Sequence, residues 1–62
     1  MFSVYYLLYN DRIWVGDFPT YKDALDNIEN TGKLLYYENG VNDVSFDIYY
    51  NQQLYQELVY TV

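Results

Sequence analysis

The 62 residues allow one domain, residues 1–62, and a chain of this size buries only about 60% of the surface that its unfolded form exposes. Cysteine and histidine are both absent, which excludes disulfide staples and thiolate or imidazole metal sites. The net charge is −6, and only Arg12, Lys22 and Lys33 are basic, so direct binding to nucleic acid or to an anionic membrane lacks its footprint.

Phe2 to Tyr9 (FSVYYLLY) opens the chain as a strand that is apolar on both faces. Such a strand is either central and covered twice, or it offers one face to another molecule. The apolar stretch has no basic residues ahead of it and ends at Asp11, so a signal peptide or spanning helix is not expected and cytoplasmic residence is. Asn10 and Asp11, with Arg12 beside them, have the chemistry of a turn, and Ile13 to Phe18 forms the returning strand, where Gly16 marks a bulge or a close approach.

Pro19-Thr20 then leads into a helix over about Tyr21 to Asn30. Thr20 suits the N-cap with Asp23 three residues on, and Tyr21, Ala24, Leu25 and Ile28 make the apolar stripe. Gly32 is placed as the left-handed residue that ends the helix, with Lys33 near the negative end of its dipole. Lys33 to Glu38 (KLLYYE) follows as a third strand, and Asn39-Gly40 as a type I′ hairpin turn into a fourth. The run Glu38 to Asp43 has oxygen ligands around a glycine, but not in the order of a calcium loop, and the hairpin explains it better. No metal or cofactor is implied.

Val44 to Thr61 (VSFDIYYNQQLYQELVYT) carries the clearest signal: two alternating runs about Asn51, Gln52 and Gln53, a hairpin with a three-residue loop. That register sets Val44, Phe46, Ile48 and Tyr50 opposite Tyr60, Leu58, Gln56 and Leu54 on an apolar face. The other face carries Asp43, Ser45, Asp47 and Tyr49 beside Tyr55, Glu57 and Val59, with Asp47 and Glu57 directly opposed. The predicted fold is α+β in the order ββαβββ, a mostly antiparallel five-stranded sheet packed on one helix.

One helix of three turns covers only part of such a sheet, and ten tyrosines are more than this core can bury with their hydroxyls satisfied. A Tyr-rich sheet face is therefore left for a partner, since exposed Tyr is enriched at interfaces. Catalysis has little to work with: Ser3 and Ser45 lack a base, and Asp47 with Glu57 is the one obvious carboxylate pair. The expected contact residues are Asp43, Asp47, Tyr49, Tyr55 and Glu57, with Tyr36 next, the carboxylates pairing with Arg or Lys and the tyrosines supplying anchor area.

In size, acidity, lack of Cys and His, and its tyrosine–carboxylate face, the chain resembles the small acidic inhibitors of phages and mobile elements. These include nucleic-acid mimics, anti-restriction proteins, uracil-DNA glycosylase inhibitors and anti-CRISPR proteins. The resemblance is one of class, without a shared motif. It implies a non-enzymatic inhibitor that occupies the basic groove of a nucleic-acid-handling host protein, such as a CRISPR or other defence effector. The alternative is a structural module that homodimerises through its Tyr-rich sheet face.

Overall fold

A computed structural model describes all residues, Met1–Val62. Its elements run β1 (Phe2–Leu8), β2 (Asp11–Phe18), α1 (Tyr21–Asn39), β3 (Asp43–Tyr50) and β4 (Gln53–Thr61). The fold is thus α+β, with ββαββ order and one antiparallel sheet of four strands in the order β2-β1-β3-β4. β1 lies inside the sheet, but it is not covered twice: α1 packs on one face only. No helix is long and apolar enough to cross a membrane.

The missing fifth strand is the main correction. Residues 33–38 continue α1 instead of forming a strand, because the apolar stripe does not stop at Ile28. Ala24, Ile28, Gly32 and Leu35 recur at helical spacing and are all buried. Gly32 is not a cap but a member of that stripe, chosen for its size: a Cβ built there would lie 2.9 Å from Tyr60 Cγ and 2.8 Å from Cε2. The helix ends at Gly40, which takes φ +70° and donates its N–H to the Tyr36 carbonyl at 2.9 Å. Asn39-Gly40 is therefore a C-cap, not a hairpin turn. Leu25, expected in the stripe, is exposed. The N-terminus follows the sequence: Thr20 is extended, and its Oγ1 accepts the Asp23 N–H at 3.1 Å.

The close crossing at Gly32 gives a first prediction. Gly32→Ala improves helix propensity by about 1 kcal/mol. It also forces the root of the Tyr60 ring to move, and overpacking of this kind costs about 1–3 kcal/mol. Urea denaturation is expected to show net destabilisation, and in a Tyr60→Ala background the same substitution is expected to stabilise. Stabilisation in both backgrounds would mean that the crossing is not tight.

Two further adjustments concern the hairpins. Tyr9-Asn10 forms the first turn, with φ of 52° and 71°, so Asp11 already belongs to β2. Asn51-Gln52 forms the second, with φ of 51° and 68°, and Tyr50 pairs with Gln53. Both loops have two residues, since paired left-handed residues match the twist of the strands they join. The extra residue expected in the second loop sits in β4 as a bulge at Tyr55, so Tyr49 pairs with Leu54 and Ile48 with Gln56. From there to Val44–Tyr60 the pairing is as the alternation predicts. A second bulge, at Val15 beside Gly16, bends β2, where the glycine marked one.

The core lies between α1 and one sheet face: Val4, Ala24, Ile28, Leu35, Val44, Phe46 and Ile48. One end of this inner face is closed by aromatic rings. Phe2 packs against Tyr21, Tyr50 and Tyr55, at 5.8, 4.7 and 5.4 Å between centroids. The Tyr21 hydroxyl donates to Gln56 Oε1 beside them.

Candidate protein-binding face

α1 covers the inner sheet face and leaves the outer one open. The pairings place three rows across it from β2 to β4. Asp17, Ser3, Tyr49 and Leu54 make the first, Trp14, Tyr5, Asp47 and Glu57 the second, and Arg12, Leu7, Ser45 and Val59 the third. Strands about 4.8 Å apart make each row about 14 Å wide. The middle row is aromatic over β2 and β1 and acidic over β3 and β4.

Asp47 and Glu57 are opposed, as the alternation predicts. They line a depression of about 260 Å³ with Ser45, Phe46, Leu58 and Val59. Neither carboxylate has a cation within 4.0 Å: the two lysines pair along the helix, and Arg12, on the same face, is stacked on tyrosine rings. Lys22 pairs with Asp26 at 2.9 Å and Lys33 with Glu29 at 3.1 Å along the helix. Hydrogen bonding and charge from Asp26 raise the Lys22 pKa, and those from Glu29 raise that of Lys33. Any stabilisation from these raised values is present below the ordinary lysine range and lost as pH rises through them, far from neutrality. Arg12 lies over the Tyr5 ring at 4.1 Å and the Tyr49 ring at 4.8 Å, and those rings meet edge to face at 5.6 Å.

Of the residues expected from the sequence, Asp43, Asp47, Tyr49 and Glu57 share the outer face, with Asp43 at its end opposite Thr61. Tyr55 and Tyr36 do not belong there. The bulge turns Tyr55 to the inner side, against Phe2, Tyr21 and Tyr50. Tyr36 is on α1, its ring beside Tyr37 at 5.5 Å, so the helix layer separates it from the carboxylates. Asp17 does join the outer face, accepting from Ser3 Oγ at 2.5 Å and Trp14 Nε1 at 3.4 Å.

Sequence reasoning missed Tyr5, Trp14 and Arg12 as members of this face. Their period-two spacing with Leu7 and Ser3 carried the signal, but only the order β2-β1-β3 sets them beside Tyr49 and Asp47.

Opposed carboxylates on neighbouring strands destabilise the fold relative to a neutral pair. Glu57→Gln is therefore expected to raise stability by a few tenths of a kcal/mol at low salt, with the gain shrinking as ionic strength rises. A thermal melt at two salt concentrations measures it, and a loss of stability would show that the pair is already compensated. Comparisons with family models, with curated proteins and with solved structures give no match for this chain.

Proposed function

We propose that the protein is a non-enzymatic inhibitor of the phage type, acting in the cytoplasm, that binds and blocks a basic nucleic-acid-handling host protein through its outer sheet face. The observation that carries this reading is the opposed pair Asp47–Glu57. It opens on the outer face with Glu57 exposed and Asp47 half-buried, has no cation within 4.0 Å, and repels itself in a way that a partner's Arg or Lys would relieve. Asp43, Asp47 and Glu57 form a spaced acidic set, and phosphates on nucleic acid present a comparable series of charges. Tyr49, Tyr5 and Trp14 supply aromatic area beside it, the residue types that anchor protein interfaces. The action is steric: the face fills a groove that substrate nucleic acid would otherwise enter.

Capture from a bacterial lysate, with the protein as bait, tests this. One basic protein is expected to be retained at low salt, released at high salt, and displaced by DNA or RNA, because a charge-driven contact is screened. Retention that is indifferent to salt and nucleic acid would reject it.

A second reading is a homodimer through the same face, favoured by the exposure of Trp14 (58%), Leu54 (48%) and Val59 (60%). Its contact would be apolar and would persist at high salt. The net charge of −6 on each copy opposes it at low salt.

A further inference from the structure

β4 is one of the two edge strands and runs for nine residues. Its backbone pairs with β3 alone. The three backbone hydrogen bonds outside regular structure join Ala24 to Thr20, Gly40 to Tyr36 and Val62 to Asn42, so none satisfies the outward N–H and C=O groups of β4. Proteins ordinarily blunt such an edge with Lys, Pro, a charge or a bulge. β2, the opposite edge, has these devices: Asp11, Arg12 and Asp17, with a bulge at its middle. β4 has its bulge only near the hairpin, at Tyr55. From Gln56 to Thr61 it contains no Lys, Pro or Gly and a single charge, Glu57. An open row of this kind pairs with an added strand.

Charge decides which strand. A second copy would bring another −6 and set more carboxylates beside those of the outer face, whereas a basic segment relieves them. Side chains alternate along β4, with Glu57 and Val59 on the outer face and Leu58 and Tyr60 on the inner. We infer that the β4 edge takes up an extended basic segment of the partner by strand addition, with an Arg or Lys opposite Glu57 and apolar residues beside Leu58 and Tyr60. The cationic side chain would cross β4 into the depression between Asp47 and Glu57. This inference rests on the basic partner proposed above and adds the form of the contact.

Two synthetic peptides test it on the intact protein: acetylated, amidated Val-Arg-Val-Arg-Val-Arg-Val, and the same peptide N-methylated at every internal residue. The second keeps the charge but loses the internal N–H groups that would donate to a strand edge. The first is expected to slow amide exchange and shift NMR signals across Gln56 to Thr61, and the second to bind about tenfold more weakly or worse. Equal binding of both peptides, or unslowed exchange at Gln56 to Thr61, would overturn strand addition. If that equal binding disappears in Asp47→Asn/Glu57→Gln, the charge-based function stands and only the edge contact falls. If it persists there, the charge-based function falls as well. A dimer that already protects these amides without peptide would give the edge to a second copy and overturn the inference.

Discussion

Phe46→Ala is expected to remove most of the stability of the fold at 25 °C. Phe46 is the largest of the fully buried side chains, with no exposed surface. It stands on β3 between Tyr6 of β1 and Leu58 of β4, its ring 6.1 Å from that of Tyr6, in one cluster with Ala24, Ile28 and Leu35 of α1. Truncating a buried Phe costs about 3–5 kcal/mol, part of it lost transfer energy and part the cavity left behind. A domain of 62 residues has only about 3–9 kcal/mol in total at 0.05–0.15 kcal/mol per residue. Loss and reserve are therefore of the same size, and no disulfide makes up the difference. Phe46→Leu keeps most of the volume and should cost about 1.5 kcal/mol or less, which separates a cavity effect from any change at this position. Far-UV circular dichroism and Trp14 fluorescence through a thermal melt measure both. A cooperative, wild-type-like melt of Phe46→Ala would mean that the core is not centred on β3.

The same residue shows why parts of the fold are legible in the sequence. Val44, Phe46 and Ile48 alternate with Ser45 and Asp47, so a strand with one buried face follows from period two alone. The pairing of Asp47 with Glu57 follows from a three-residue loop, and it holds because the bulge at Tyr55 takes up the residue that the two-residue turn leaves out. The N-cap at Thr20 is local chemistry and was equally visible. Residues 31–40 were not, because each local sign has two meanings. A glycine after three helical turns suits a C-cap, and it also suits a close helix–strand crossing. Only the Tyr60 ring, 28 residues on, selects the second. Asn39-Gly40 suits a hairpin turn and a helix C-cap alike, and the length of the apolar stripe through Leu35 selects the cap. The bulge that moves Tyr55 off the candidate site is likewise a tertiary choice. The turn takes two residues, the strand absorbs the third, and the ring gains Phe2, Tyr21 and Tyr50 as neighbours.

The charge pair allows fold and function to be separated by sign. Glu57→Lys sets a cation opposite Asp47, turning a repulsive cross-strand pair into an attractive one, and is expected to stabilise the fold by about 0.2–1 kcal/mol. The same substitution removes a carboxylate that the partner's cation needs and fills the site with the wrong charge, so affinity should fall. In Asp47→Lys/Glu57→Lys the like-charge repulsion returns with opposite sign, stability comes back near the wild-type value, and the net charge moves from −6 to −2, two units for each substitution. Binding to the captured partner is expected to drop by about 10²-fold or more, since an unpaired charge at an interface costs about 2–5 kcal/mol. Stability and affinity thus change in opposite directions in the single variant, and affinity alone changes in the double. A residue that only held the sheet together would move both the same way. Isothermal titration beside thermal melts of the three proteins measures the two quantities, and unchanged affinity in the double variant would remove Asp47 and Glu57 from the interface.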